Sequence, residues 1–282
     1  MRGRLLDAGI RLLHVDGRRC DPAEAVLPAT LPGVLRGDGI FEAFVAVDGE
    51  PAPGFEEHAS RLQRSAVLTG LDLEGRGLAE EFPAFQRLLA REAPGAWRVR
   101  YTVLRGLEGT VRLWTAGPLP PPPPEVDLHW SRFRRDPGDP LCGAKTVSRV
   151  QAEAARREAE AAGAWDALLP TVEGDLAECT AANVFFWREG RLETPAPDRG
   201  ILEGVTRQAV LRTCREAGIP VREGRILPSE AREAEEMFLT NAVQGLLPVR
   251  RLLGIREDYP GAAGPVFRRL RPLLEAIHLP PS

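Results

Sequence analysis

The chain has 282 residues, with 40 acidic against 37 basic side chains, a formal net charge of -3 and 43% hydrophobic residues. That hydrophobic content is too high for a disordered chain, and the length allows one large domain or two of about 100 to 150 residues, each able to bury a core. The near balance of charge argues against a nucleic-acid binder, and no run of about 18 apolar residues is available to span a membrane.

The opening MRGRLLDAGIRLLHVDG lacks the apolar stretch and small-residue cleavage site of a secretory signal, so cytoplasm is the expected compartment. Ile40 to Val47 reads as a strand ending at the turn Asp48-Gly49, and Glu57 to Leu68 and Phe82 to Arg91 carry helical patterns. Trp97 to Leu104 and Thr110 to Thr115 alternate as strands around the turn Arg105 to Gly109. Pro120 to Pro124 then form an extended run without backbone donors, which suits a link between domains; a surface loop within one domain reads the same way. The expected division is a small α+β domain over 1–117, a linker over 118–126 and a larger domain over 127–282.

Beyond the linker, Val147 to Ala162 is rich in alanine and glutamate and predicts a helix ended at Gly163. Strands follow at Asp166 to Pro170, Asn183 to Arg188 and Arg191 to Thr194, the last two joined as a hairpin through Glu189-Gly190. Thr206 to Ala217 predicts a helix, Pro220 to Ile226, Glu236 to Thr240 and Leu246 to Leu252 predict strands, and Val266 to Ile277 a last helix. These short elements with glycine turns predict an antiparallel or mixed sheet.

Dinucleotide, P-loop, zincin and nucleophile-elbow motifs are all missing, and four scattered cysteines with four histidines fit no metal site. Lys145 stands among Cys142, Gly143, Ala144 and Thr146 before a predicted helix, where partial desolvation would favour amine chemistry; an ordinary surface lysine fits the same letters. Glu178, before a strand, suits either a partner for a protonated ring nitrogen or a turn acid. Gly204-Val205-Thr206 opens a helix whose backbone donors suit a phosphate, or Thr206 is a plain N-cap. Thr240-Asn241-Ala242 is a second possible donor cluster, or simply a strand end. Asn183 either fastens the Glu178 loop or caps a turn.

In combination these blocks resemble the class IV aminotransferases, the fold-type IV pyridoxal 5'-phosphate enzymes. The resemblance runs from GDGIFEAFVAVDG and HASRLQRSA through RYTVLRG and GAKTVSR to EGDLAECTAANVFF, ETPAPDRGILEGVTRQ and EEMFLTNAVQGLLPV, about four-fifths of the chain, in family order. It implies an α+β fold, with a small N-terminal α/β domain and a larger domain built on a mixed, barrel-like sheet. It also implies a homodimer binding pyridoxal 5'-phosphate. Residue by residue, Lys145 matches the cofactor lysine and general base, and Glu178 the acid at the pyridine nitrogen. Arg61 matches the phosphate-binding arginine, with Val205, Thr206, Asn241 and Ala242 completing the phosphate shell. Some relatives carry threonine where this chain has Ala242, which leaves that contact to the backbone.

The resemblance implies either a lyase or a transaminase. As a 4-amino-4-deoxychorismate lyase, the enzyme would eliminate pyruvate from an external aldimine to give 4-aminobenzoate for folate synthesis. The alternative is an aminotransferase acting on D-amino acids or branched-chain L-amino acids and 2-oxo acids. The segment LRGDGIFEAFVAVDGEPAPGFEEHASRL looks more like the lyases. Val150, five residues after Lys145, replaces the tyrosine typical of branched-chain enzymes, and RGLEGTVRLW departs from the D-amino acid pattern. The lyase is therefore the expected activity. Arg98, Arg100 and Arg105 are candidates to clamp an anionic substrate, with Arg100 taken as the substrate-binding residue; strand alternation puts Arg98 and Arg100 on one face and Arg105 in the turn. A solvated basic edge is the other reading.

Overall fold

The computed structural model describes residues 9–275. Residues 1–8 of the N-terminal reading and the helix end expected at Ile277 lie outside them. The described chain divides into two compact units, residues 9–120 with 144–148, and residues 121–143 with 149–275. The returning segment 144–148, which carries Lys145, thus belongs to the first unit.

The first unit holds strands β1 (Leu12–Val15) and β2 (Arg18–Cys20), helix α1 (Pro32–Leu35), β3 (Gly39–Val47), β4 (Glu50–Pro51), α2 (Phe55–Thr69), α3 (Leu78–Glu92), β5 (Ala96–Arg105) and β6 (Thr110–Pro118). The six strands form one antiparallel sheet in the order β2-β1-β6-β5-β3-β4. The hairpin β1–β2, unforeseen in the sequence, turns on Asp16-Gly17, both at positive φ, which is what a two-residue hairpin turn demands. Helix α3 starts four residues before the expected Phe82 and runs through Pro83; so near the helix start, the proline forfeits only the bond to the Ala79 carbonyl. One face of β3, β5 and β6 packs on α2 and α3 through Phe44, Leu62, Phe82, Phe85, Tyr101 and Trp114. Trp114 stacks on both Phe85 and Tyr101, at centroid distances of 4.8 and 4.4 Å.

The second unit holds β7 (Val126–Trp130), α4 (Val150–Ala161), β8 (Asp166–Pro170), β9 (Leu176–Cys179), β10 (Asn183–Arg188), β11 (Arg191–Pro195), α5 (Val205–Glu216), β12 (Val221–Gly224), α6 (Pro228–Glu233), β13 (Glu236–Asn241), β14 (Gly245–Leu253) and α7 (Pro265–Glu275). Its eight strands run β12-β11-β10-β13-β14-β7-β8-β9. Pairs β11/β12, β14/β7 and β7/β8 are parallel and the rest antiparallel. Register shifts at Val249/Arg251 and Leu168/Pro170 bend the sheet. The bend brings its two ends together, and Leu176 N–H of β9 donates to the Ile226 carbonyl beyond β12 at 2.8 Å. The result is the curled, half-barrel sheet of the expected α+β fold. Alternation sorts its side chains: Val184, Phe186, Met237 and Leu239 fill the cluster with β7, β8 and β14, while Phe185 and Phe238 face α5 and α7.

Helix α4 begins at Val150, not Val147. Residues 145–147 are extended along β3 instead, with Phe41 N–H donating to Lys145 O and Val147 N–H to Gly39 O, each at 2.9 Å. Helix propensity there gives way to a strand edge offering backbone partners.

Candidate active site

Lys145 is the only lysine among the 37 basic residues of the chain; the rest are arginines. This is a signal that motif reading passes over. A guanidinium stays protonated at neutral pH and is no nucleophile, so the one amine marks a position where arginine will not serve. The Lys145 peptide is clamped on both sides, its carbonyl by Phe41 N–H and its N–H by Ser65 Oγ of α2 at 3.0 Å. Its Nζ lies 4.8 Å from the centre of the Phe41 ring.

Arg61 sits one helical turn before Ser65 and is only 3% exposed. Its Nε and Nη2 donate to the two oxygens of Glu42 at 2.8 and 2.7 Å, a bidentate pair. His58 Nδ1 donates to Glu42 Oε2 at 2.7 Å. Burial by itself would raise the Glu42 pKa, but the Arg61 charge and the hydrogen bonds from Arg61 and His58 hold it down to about 2. Burial lowers the His58 pKa, against the pull of Glu42 and with the Arg61 and Lys145 charges adding to it. Neither Glu42 nor Ser65 stands out in the sequence, because both act through packing of β3 on α2.

Among the arginines proposed for substrate, Arg100 lies over the Phe41 ring at 3.8 Å and donates from Nε to Thr102 Oγ1 at 3.0 Å. Arg98 and Arg100 share a face, as alternation predicts. Arg105 does not join them: it closes β5, pairing with Asp38 at 2.6 Å and donating to the carbonyls of Thr69 and Gly70.

The second unit gathers Glu178, Asn183 and the start of α5. Glu178 lies within β9 rather than before a strand. Its Oε2 accepts from Asn183 Nδ2 at 3.1 Å and from Leu202 N–H at 3.0 Å, and its Oε1 lies 3.3 Å from Arg135 Nη2. Asn183 Nδ2 also donates to the Leu202 carbonyl at 2.8 Å, so Asn183 does fasten the loop before α5. Thr206 is not the N-cap; Gly204 is, Val205 is the first helical residue, and no side chain caps the start. Gly204 has an ordinary φ of -65°, so its value is space: a Cβ there would stand 2.1 Å from Asn183 Oδ1. On the ladder Asn183 faces Thr240, whose buried Oγ1 has no hydrogen-bond partner. Asn241 ends β13, and its Oδ1 accepts from Val243 and Gln244 N–H at 2.9 and 2.8 Å, shaping the turn through Ala242.

This chemistry fits a phosphorylated pyridine aldehyde. An uncapped helix start and an unpartnered buried hydroxyl await acceptor oxygens, an oriented carboxylate suits a ring N–H, and the one amine in the sequence suits the aldehyde. Fold and residues together define a fold-type IV pyridoxal-phosphate enzyme. The chain belongs to the amino-transferase class IV family, which it matches over residues 39–252. It is 35% identical over 228 residues to a Thermotoga maritima protein carrying the name of a branched-chain-amino-acid aminotransferase, covering 79% of this chain and 81% of that one. The branched-chain aminotransferase of the thermophilic archaeon Thermoproteus uzoniensis, solved with norvaline, superposes with a TM-score of 0.83 at 26% identity, covering 93% and 92% of the two chains. A Legionella pneumophila protein named for 4-amino-4-deoxychorismate lyase gives 0.80 at 25% identity over 88% and 94%. The cofactor is therefore pyridoxal 5'-phosphate, and the protein is an enzyme that depends on it.

Proposed function

We propose that the protein is an aminotransferase, moving an amino group from a branched-chain L-amino acid to a 2-oxo acid. The length-wide likeness to proteins named as branched-chain aminotransferases carries this reading ahead of the lyase. Pyridoxal phosphate, when bound, supplies an aldehyde that captures amines and a ring that accepts the electron pair left on the amine-bearing carbon. Lys145 would hold the aldehyde, and its Nζ would serve as the base that takes the proton from the amine-bearing carbon and passes it on, not back to that carbon, as amino transfer requires. Glu178, steadied by Asn183, Leu202 N–H and Arg135, accepts from the ring nitrogen. The phosphate falls to Arg61, to the backbone of Val205, Asn241 and Ala242, and to the Thr206 hydroxyl. Arg100 takes a substrate carboxylate. We place the enzyme in the cytoplasm as a homodimer.

A second reading, elimination of pyruvate from 4-amino-4-deoxychorismate, is favoured by Val150. It opens α4 with 77% of its surface exposed, where tyrosine marks the branched-chain enzymes. The test supplies the holoenzyme with 2-oxoglutarate and L-leucine, L-isoleucine or D-alanine, and separately with 4-amino-4-deoxychorismate. Glutamate should form with a branched-chain L-donor, and Lys145→Ala should lose at least about 100-fold of that rate. Release of 4-aminobenzoate and pyruvate without amino transfer would overturn the proposal in favour of the lyase.

A further inference from the structure

Thr240 stands on β13 with 1% of its surface exposed, and its Oγ1 makes no hydrogen bond among the described residues. The other buried threonines of the second unit are answered. Thr171 donates to Asp175 Oδ1, Thr180 to Asp166 Oδ1 at 2.5 Å, and Thr194 to the Val184 carbonyl at 2.7 Å. A hydroxyl taken out of water with nothing to bond destabilises the fold, so Thr240 is the exception that calls for a partner.

The ladder places this hydroxyl. Thr240 is paired with Asn183 of β10, so the two side chains share a sheet face. Further along the same face, the pair Phe185 and Phe238 packs on Val210, Leu211 and Cys214 of α5. Asn183 meets the beginning of that helix: its Nδ2 donates to the Leu202 carbonyl at 2.8 Å, and a Cβ on Gly204 would stand 2.1 Å from its Oδ1. Thr240 is thus the neighbour of the residue that touches the N-cap of α5, where no side chain answers the first N–H groups. A 12-residue helix presents a partial positive charge at such a start, and an anion there satisfies both the backbone donors and a nearby hydroxyl. Beyond Thr240, the Asn241 Oδ1 is taken by Val243 and Gln244 N–H, and Ala242 has no polar side chain.

We propose that Thr240 is a further phosphate-binding residue, donating its hydroxyl to a phosphate oxygen held at the start of α5. Binding then relieves the cost of the unanswered hydroxyl, so the group that destabilises the unliganded protein is the one that favours the loaded form. The two effects carry opposite signs on removal of the hydroxyl, which separates a binding role from a structural one. The inference deepens the proposed function and rests on it for the phosphate at this helix start.

The test needs no turnover. Titration calorimetry of the full-length apoenzyme gives its affinity for inorganic phosphate, for pyridoxal 5'-phosphate and for pyridoxal, which has no phosphate, and scanning calorimetry gives the thermal midpoint of the unliganded protein. Thr240→Val, close to threonine in shape, should weaken binding of both phosphate compounds by about 10-fold and leave pyridoxal unaffected. The same variant should raise the midpoint of the unliganded protein, because it removes a buried hydroxyl that bonds to nothing. Thr240→Ser, which keeps the hydroxyl, should retain the phosphate affinity, and Thr240→Ala serves for the affinities if valine is not accommodated. Unchanged phosphate affinity in the valine or alanine variant, an equal loss for pyridoxal, or a lowered midpoint in Thr240→Val overturns the proposal. Phosphate binding that responds to Thr240 in an enzyme that transfers no amino group would overturn the reaction proposed above and leave the role of Thr240 standing.

Discussion

Glu42 has no exposed surface; the Arg61 charge answers its own, and His58 donates a hydrogen bond to it. Removing one member of such a cluster leaves a buried charge uncompensated, so Glu42→Gln should lose about 3–5 kcal/mol of stability at pH 7. Urea denaturation reads this directly, and an unchanged midpoint would refute it. The pH dependence has a definite sign. The folded pKa of Glu42, about 2, lies below its ordinary value of 4.5, so its contribution is present above pH 4.5 and is lost as pH falls towards 2. The folded pKa of His58 lies below 6.5, so the unfolded chain binds the extra proton first and stability begins to fall as pH drops through 6.5. Lys145 and Arg61 were singled out in the sequence by the blocks around them, and their roles remain the proposal made above. Their partners Glu42, Ser65 and Phe41 were not, because residues 42, 61 and 145 meet only when strand, helix and returning segment pack.

At the scale of elements, the start of α5 depends on a glycine chosen for its size. Gly204→Ala would drive a Cβ into Asn183 Oδ1 and displace the amide that supports both Glu178 and the Leu202 carbonyl. Losing a hydrogen bond to a charged group weakens cofactor binding by about 10-fold or more, which equilibrium dialysis of the variant measures. An unchanged dissociation constant would show that Asn183 does not hold the site. The periodic elements were readable, since Phe55–Thr69, Ala96–Arg105 and Glu236–Asn241 lie within a few residues of their expected bounds. Boundaries failed where a tertiary partner competes with local preference. Residues 147–149 have good helix formers ahead of them, yet the edge of β3 takes Val147; and Gly204, not Thr206, precedes the first helical residue.

For the whole molecule, the first unit presents exposed apolar side chains from three neighbouring places. They are Val34 and Leu35 on α1, Val67 and Leu68 on α2, and Leu107 in the β5–β6 turn. Helix α1 touches β5 where Gly33 meets Leu104, and Arg105 ties the end of α2 to the same strand, so these residues border one region. Covering such a surface is what association accomplishes. Sedimentation equilibrium should therefore report twice the chain mass of 30.8 kDa, and a monomer at micromolar concentration would contradict the proposed homodimer.

By itself, the sequence determined the class of chemistry. One lysine among glycine and alanine neighbours, an acid in a segment of small residues and a glycine-led helix start are local arrangements whose meaning depends on residue type and short spacing. Tertiary structure alone decided what surrounds them. The bulges at Val249/Arg251 and Leu168/Pro170 curl the second sheet until β9 meets the chain beyond β12, and the return of 144–148 to β3 lays Lys145 over Phe41. Such contacts join residues about fifty to a hundred positions apart, and no local propensity encodes which strand edge will be open to receive them.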